Sequence, residues 1–257
     1  MAKKILILGG TAEARALAER LAPRGDLDIT LSLAGRTAAP ARQAVPARVG
    51  GFGGAAGLAD YLKRERVDIL VDATHPYASV ISANAVAAAR TANVCLIALQ
   101  RPPWTAVAGD RWTEVQDVAA AIAALSTTPR RVFVTLGRNA LAPLQSAPQH
   151  FYLIRSVDPV EPPLALPHAH YVTARGPFAE ADERTLIAAH GIDIIIAKNS
   201  GGTATYGKIA AARALGIAVV MLRRPPALAT PAVHNVDEAL TSLDHALTSA
   251  AATARGV

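Results

Sequence analysis

Residues 88–103 read AARTANVCLIALQRPP and residues 211–226 read AARALGIAVVMLRRPP, with seven of sixteen positions identical at an offset of 123. Each stretch is the end of an alanine-rich helix, a turn, an apolar run of strand length and an Arg-Pro-Pro exit. The match extends backwards. VDILVDAT (67–74) aligns with IDIIIAKN (192–199) at an offset of 125, and KKILILGG (3–10) with RRVFVTLG (130–137) at an offset of 127. Offsets that drift this slowly are what small loop deletions leave behind. The order strand, strand, strand-Arg-Pro-Pro is kept in both copies, so the chain reads as two similar units in tandem.

Strand-like runs bounded by turn residues fill in each unit. Ile5–Leu8, Ile29–Leu33, Ile69–Val71 and Val94–Leu99 form one set; Val132–Leu136, Phe151–Ile154, Tyr171–Thr173, Ile192–Ala197 and Ala218–Leu222 form the other. They are apolar on both faces and alternate with helical stretches such as Ala12–Leu21 and Ala83–Ala92, the pattern of parallel strands buried on both sides. The expected fold is α/β, two tandem Rossmann-like units with parallel sheets facing a shared cleft. The boundaries read as 1–100 for the first unit, 101–129 for a linker and 130–225 for the second unit. The linker holds the Pro102-Pro103 break and a helical stretch Val115–Leu125. Residues 226–257 read as a Pro-rich loop and a helix from Val236 to Ala251, capped by Asn235, with Leu240, Leu243 and Leu247 on one face. The matching Arg-Pro-Pro exits leave open whether strands are exchanged between the units.

Composition narrows the class. With 257 residues, 51% of them hydrophobic and 18% charged, the chain can bury a core and does not read as disordered. Its apolar runs fall far short of the roughly twenty residues that cross a bilayer. Lys3 and Lys4 precede only a short apolar run ending at Gly9-Gly10, which predicts no secretory signal and a cytoplasmic protein. The single cysteine, Cys95, excludes internal disulfides and cysteine-based metal clusters; inside a strand, it is expected in the core. Net charge is +6, yet the 21 arginines and five lysines are scattered and aromatics are 4%, too few for a nucleic-acid stacking surface. That balance suits a small ligand with several negative charges.

In doubly wound sheets, ligands sit beyond the carboxyl ends of the strands, so the loops there carry the chemistry. Gly9-Gly10-Thr11-Ala12-Glu13-Ala14 follows the first strand. Gly9 and Ala14 fit the outer places of the dinucleotide pattern G-x-G-x-x-G/A, and Thr11 replaces its middle glycine. A plain turn capped by Thr11 is the competing reading. After the second strand come Arg36 and Thr37, where an NAD site would place an acidic residue. Guanidinium pairs bidentately with phosphate, so Arg36 suits the 2′-phosphate of NADPH, against the alternative of a solvated arginine. Gly50, Gly51, Gly53 and Gly54 surround Phe52, allowing close ligand approach or a mobile loop. Thr74, His75, Pro76 and Tyr77 follow the third strand of the first set. His75 there either donates a proton or hydrogen-bonds backbone.

The second unit carries Lys198-Asn199-Ser200-Gly201-Gly202-Thr203-Ala204-Thr205, then Tyr206-Gly207-Lys208. Two lysines, several hydroxyls and a Gly-Gly pair at a helix start make an anion site. The spacing is not that of a P-loop, which excludes a kinase or NTPase. Arg138, Arg155 and Arg175 are further basic residues at strand ends. His168-Ala169-His170 offers two imidazoles on one strand face but no third metal ligand, so no metal is expected. A nucleophile elbow is absent from the sequence.

Taken together, Gly-Gly-Thr-Ala-Glu-Ala-Arg (9–15), Gly-Gly-Phe-Gly-Gly (50–54), Asp-Ala-Thr-His-Pro-Tyr-Ala (72–78) and Lys-Asn-Ser-Gly-Gly with Thr205 and Lys208 resemble the precorrin-6A reductase family of cobalamin biosynthesis. The resemblance covers roughly residues 4–225; Tyr77 stands where phenylalanine is usual. It implies an NADPH-dependent oxidoreductase that saturates one macrocycle double bond, turning precorrin-6A into precorrin-6B, with or without cobalt in the ring. The substrate is a polycarboxylate tetrapyrrole, in keeping with the cationic loops. No metal, flavin, nucleic acid, membrane or second subunit is implied, and the protein is expected as a monomer.

On that resemblance Gly9, Gly10, Thr11, Arg36, Thr37 and Thr74 bind NADPH. His75 and Tyr77 lie at the chemistry, and either or water supplies the proton. Lys198, Ser200, Gly201, Gly202, Thr205 and Lys208, with Arg138 and Arg175, grip the substrate's arms. The glycine loops could exchange roles, the 200–202 loop touching NADPH phosphates instead. Two other classes compete. An S-adenosylmethionine-dependent methyltransferase also opens on a glycine loop, but prefers an acidic residue where Arg36 stands. A non-catalytic NADP-sensing protein would need a DNA-contacting or docking module, and the sequence offers none.

Overall fold

The structure is a computed structural model that describes residues 2–35, 41–226 and 231–253. In chain order the first half forms β1 (Lys3–Leu8), α1 (Ala12–Leu21), β2 (Leu27–Leu33), β3 (Ala47–Val49), α2 (Gly54–Glu65), β4 (Ile69–Asp72), α3 (Ser79–Ala92) and β5 (Cys95–Leu99). Then come β6 (Trp112–Val115), α4 (Val118–Ala123), β7 (Arg131–Thr135), β8 (Phe151–Ser156), β9 (Ala169–Thr173), α5 (Glu180–Ala189), β10 (Ile194–Lys198), α6 (Gly207–Leu215) and β11 (Ala218–Leu222). The chain closes with β12 (Ala232–Val233) and α7 (Val236–Thr253).

Two six-stranded sheets result, ordered β12-β5-β4-β1-β2-β3 and β6-β11-β10-β7-β8-β9, with every pairing parallel. The repeat in the sequence is therefore a repeat in topology: β1 to β5 and β7 to β11 occupy the same places in their sheets. The sixth strand is the exception. β6 follows the first Arg-Pro-Pro exit yet pairs with β11, and β12 follows the second exit yet pairs with β5. Each exit thus delivers a strand-helix pair, β6–α4 or β12–α7, to the other half's sheet. The strands at 95–99 and 218–222 stay with their own sheets; what crosses is the element after each.

The boundaries differ from the sequence reading accordingly. One compact unit comprises residues 1–102 with 225–257, and the other residues 103–224. The stretch 101–129, expected as a linker, supplies β6 and α4 to the second sheet. The helix expected from 115 begins only at Val118, because the Asp117 side chain accepts the Ala120 N–H at 2.8 Å and caps it there. β6 escaped notice for a physical reason. As an edge strand it has one neighbour, and of Trp-Thr-Glu-Val only Val115 is buried, so no apolar run marks it.

Alternation along the central strand of the first unit explains its layers. Ile5 and Ile7 pack with Leu17 and Leu21 of α1 and with Ala239 and Leu243 of α7. Leu6 and Leu8 pack on the other face with Leu58 and Leu62 of α2 and Ala85 and Ala88 of α3. α7 is capped as its sequence requires, the Glu238 N–H donating to Asn235 Oδ1 at 2.9 Å, and Leu240 and Leu247 flank buried Leu243. In the second unit Phe133, Leu153, Ile195 and Met221 pack with Ile187 of α5 and Ile209 of α6. Cys95, expected in the core, is exposed: it opens β5, and burial is complete only from Ile97 onward.

Leu243 sits in the first unit's core although more than two hundred residues separate it from β1. Leu243→Ala is expected to lower stability by about 2–5 kcal/mol, the range for truncating a buried leucine. Urea denaturation measures the loss. Hydrogen exchange should assign it to β1, β4 and β5, leaving the strands of the second unit protected.

Candidate cofactor and substrate loops

Parallel pairing gathers the loops named above at the carboxyl edges of the two sheets. In the first unit the β1–α1 turn is built for close approach. A Cβ on Gly9 would lie 2.7 Å from Leu31 Cδ1 and 3.3 Å from Ala14 Cβ, so this glycine lets the turn lie against β2 and α1. Gly10 has φ +110° and nothing within 4 Å of where a Cβ would stand, so its backbone is open to a ligand. Thr11 caps α1, accepting the Ala14 N–H at 3.0 Å, and its hydroxyl donates to the Ala73 carbonyl at 2.7 Å. One residue thus ends the turn and ties it to the exit of β4. The cap expected of Thr11 is present. Arg36 and Thr37 lie outside the described residues.

The 50–54 loop is held by a residue the sequence reading passed over. Arg48 donates to Ser32 Oγ at 2.8 Å, to the Gly50 carbonyl at 2.9 Å and to the Gly51 carbonyl at 3.2 Å. Its guanidinium lies 3.8 Å above the centre of the Phe52 ring. Gly50, Gly53 and Gly54 all have positive φ, which accounts for the density of glycine.

After β4, buried Asp72 accepts both the Thr74 N–H at 3.1 Å and the Thr74 hydroxyl at 2.7 Å. The Thr74 hydroxyl is therefore turned into the protein, bracing the turn rather than lining its surface. His75 and Tyr77 are half-buried neighbours, with ring centroids 5.7 Å apart. The Tyr77 N–H donates to His75 Nδ1 at 3.3 Å. A neutral His75 held this way carries its proton on Nε2.

The 198–208 loop divides into residues that hold it and residues it displays. Asn199 is buried, and its side chain clasps the backbone of Trp104, accepting the Trp104 N–H at 2.8 Å and donating to the Trp104 carbonyl at 2.9 Å. Gly201 and Gly202 have φ of +67° and +68°, which side chains rarely tolerate. Lys208, read as a ligand cation, is 4% exposed and donates to the Thr205 carbonyl at 2.7 Å. Arg155 is buried too. Its guanidinium is bound by both oxygens of Glu183 and lies 3.6 Å over the Phe178 ring. Lys198 and Ser200 are half-buried, Arg138 and Arg175 exposed. Arg138 reaches Asp158 at 3.4 Å.

His170 lies with its ring 5.2 Å from that of His190, and no group of three potential metal ligands occurs among the described residues. No helix among them is long and apolar enough to cross a membrane. A groove of about 560 Å³ lined by Arg111, Ile187, Asp193 and Leu215 lies at the amino ends of β10 and β11. It lies at the opposite end of its sheet from the 198–208 loop, and the strand-end loops are the better candidates on topological grounds.

Parallel sheets, helices on both faces and a glycine turn after the first strand place the protein in the Rossmann-like class. The comparisons then narrow it to a family. A family model described as precorrin-6x reductase CbiJ/CobK matches residues 4–244. The precorrin-6A reductase of a Sinorhizobium species is 55% identical over 247 residues, 96% of this chain and 95% of its own length. The solved structure of a CobK precorrin-6A reductase is similar with a TM-score of 0.92 and 48% identity, covering 95% of this chain and 97% of that one. A cobalt-precorrin-6A reductase of Priestia megaterium is 28% identical over 86% of this chain and 90% of its own length. The chain belongs to the precorrin-6x reductase family and is an oxidoreductase of cobalamin biosynthesis. The methyltransferase and sensor readings are set aside.

Burial pushes the Lys208 ammonium from its ordinary 10.5 down to about 7, helped by Arg155 and opposed by Glu183. Its folded value lies below its unfolded one, so between those two pH values the unfolded chain holds the extra proton. Stability contributed at this position is therefore expected to rise with pH from about 7 towards 10. Urea melts across that window should show the rise in the native chain and its loss in Lys208→Met.

Proposed function

We propose that this reductase takes hydride from NADPH held at the β1–α1 turn and delivers it to precorrin-6A, whose carboxylate arms are gripped by the 198–208 loop. The observation that carries the cofactor assignment is the turn itself. Gly9 lies flush against Leu31, Gly10 is open, and Thr11 presents the start of a ten-residue helix, the arrangement that suits a pyrophosphate. Arg36 and Thr37, following β2, supply the donors for the adenosine 2′-phosphate. Arg48, by fixing the Gly50 and Gly51 carbonyls, shapes the loop on the neighbouring strand.

Bound NADPH supplies the hydride; the protein supplies orientation and a proton. His75, with Nδ1 occupied by the Tyr77 N–H, offers Nε2–H as donor, and the Tyr77 phenol is the second candidate. Thr74 acts through Asp72, holding the turn on which both sit. Ser200, Gly201, Gly202 and Thr205 present hydrogen-bond donors to the arms, with Lys198, Arg138 and Arg175 adding charge. Lys208 acts from beneath, its Nζ donating to the Thr205 carbonyl and so fixing the end of the loop. The macrocycle is the cobalt-free one, a reading supported by the greater likeness to relatives named for precorrin-6A. The enzyme works as a monomer in the cytoplasm, without nucleic acid or metal.

Titration followed by nicotinamide fluorescence tests the cofactor. NADPH is expected to bind well ahead of NADH, and Arg36→Ala to weaken NADPH by about 10- to 100-fold while leaving NADH unchanged, the range for hydrogen bonds to a charged group. Equal binding of both nucleotides by the native chain would overturn the assignment. For the proton, His75→Ala is expected to lower kcat by about 100-fold or more and leave the Kd for NADPH in place. Full turnover in that variant would pass the role to Tyr77.

A further inference from the structure

The loop from Asn199 to Thr205 has seven carbonyl oxygens, and six of them are already bonded within the protein. Arg224 donates from Nε to the Asn199 carbonyl at 2.8 Å and from Nη2 to the Ser200 carbonyl at 3.0 Å. Trp104 Nε1 donates to the Gly202 carbonyl at 2.7 Å. The Thr203, Ala204 and Thr205 carbonyls take the Tyr206 N–H at 3.1 Å, the Phe178 N–H at 3.0 Å and Lys208 Nζ at 2.7 Å. The amides show the opposite. Among the described residues, the N–H groups of Gly201, Gly202, Thr203, Ala204 and Thr205 find no acceptor. Backbone donors are paired almost everywhere in folded proteins unless water or a ligand takes them. A segment with its acceptors filled and five consecutive donors open is polarised toward an anion.

Two side chains far away in sequence set that polarity. Trp104 stands 95 positions before Asn199 and reaches the loop three times. Its N–H and carbonyl are clasped by the Asn199 side chain, and its indole N–H takes the Gly202 carbonyl. Its ring is fixed edge-on against Tyr206, with centroids 5.6 Å apart. Arg224 spans two successive carbonyls with one planar guanidinium, a geometry no other side chain reproduces.

Resting on the assignment of this loop to the substrate, we infer that Trp104 and Arg224 are positioning residues of the reductase. They turn the loop's carbonyls away and so present the amides of 201–205 to a carboxylate arm of the macrocycle. Neither needs to touch the substrate. Their effect belongs to binding of the arm, so it falls on KM and leaves the hydride step alone.

The test uses the full-length enzyme with NADPH and precorrin-6A. Trp104→Phe keeps an aromatic ring facing Tyr206 and the backbone pair with Asn199, and removes the indole N–H together with the second ring, whose packing loss the near-UV spectrum and a urea melt report separately. Arg224→Gln removes both guanidinium bonds, and Arg224→Lys restores one. The expected result is a KM for precorrin-6A raised about 5- to 10-fold in Trp104→Phe and more in Arg224→Gln, with Arg224→Lys between native and Gln. Throughout, kcat should stay within about twofold and the Kd for NADPH unchanged. Native near-UV circular dichroism with KM unmoved in both Trp104→Phe and Arg224→Gln would overturn the inference. So would parallel losses of kcat in all three variants. If NADPH affinity fell instead and the precorrin KM held, Trp104 and Arg224 would stand as positioning residues, and the loop's assignment to the substrate would fall.

Discussion

A parallel pair of strands cannot be closed by a hairpin. The chain must leave the carboxyl end of one strand, cross a face of the sheet and return to the amino end of the next. That constraint, applied five times in each sheet, puts the candidate loops of each unit at the carboxyl edge of that unit's own sheet. The β1–α1 turn, the 50–54 loop, the His75–Tyr77 turn and the 198–208 loop all leave carboxyl ends because parallel pairing gives them nowhere else to go. Helices return over both faces, so the strands between them are apolar on both sides, as Ile5 to Leu8 are. Fold and site location are one consequence of one hydrogen-bonding pattern.

Much of this could be read from the residues. Strands buried on two faces announce themselves, and Thr11 and Asn235 mark the helix starts they cap. The glycine turns were legible too, because positive φ at Gly10, Gly201 and Gly202 leaves few other choices of residue. The edge strands were not. A strand with one neighbour can be short and polar, like Trp112 to Val115, or only two residues long, like β12. Long-range partners were hidden as well. Lys208 and Arg155 look like ligand cations in a sequence, yet Glu183, 28 positions after Arg155, draws the guanidinium inside, and burial follows. The anion loop was visible in its glycines, while Trp104 and Arg224, which hold it, carry no local signature.

The repeat also shows how one arrangement can be put to two uses. Arg101 and Arg224 are equivalent positions in the two Arg-Pro-Pro exits. In the first unit Arg101 is paired with Glu13 in the opening turn of α1, whereas in the second Arg224 holds the carbonyls of Asn199 and Ser200. The same side chain braces a helix start in one copy and a loop in the other. Glycine loops in both units share a further device: an arginine, Arg48 or Arg224, occupies consecutive carbonyls. Backbone polarity in such loops is set by a planar five-donor group, and lysine would not substitute for it.

The exchange of sixth strands has a consequence for synthesis. The second unit is contiguous, residues 103–224, while the first is split around it. A ribosome therefore completes the later unit before the earlier one, the reverse of the usual N-terminal-first order. From the emergence of β5 to that of Leu243, roughly 7–30 seconds at ordinary elongation rates, the first sheet has no partner on its β5 edge and no α7 over Ile5 and Ile7. The nascent chain carries that open edge and bare apolar face through the whole interval, until α7 and β12 arrive to close them.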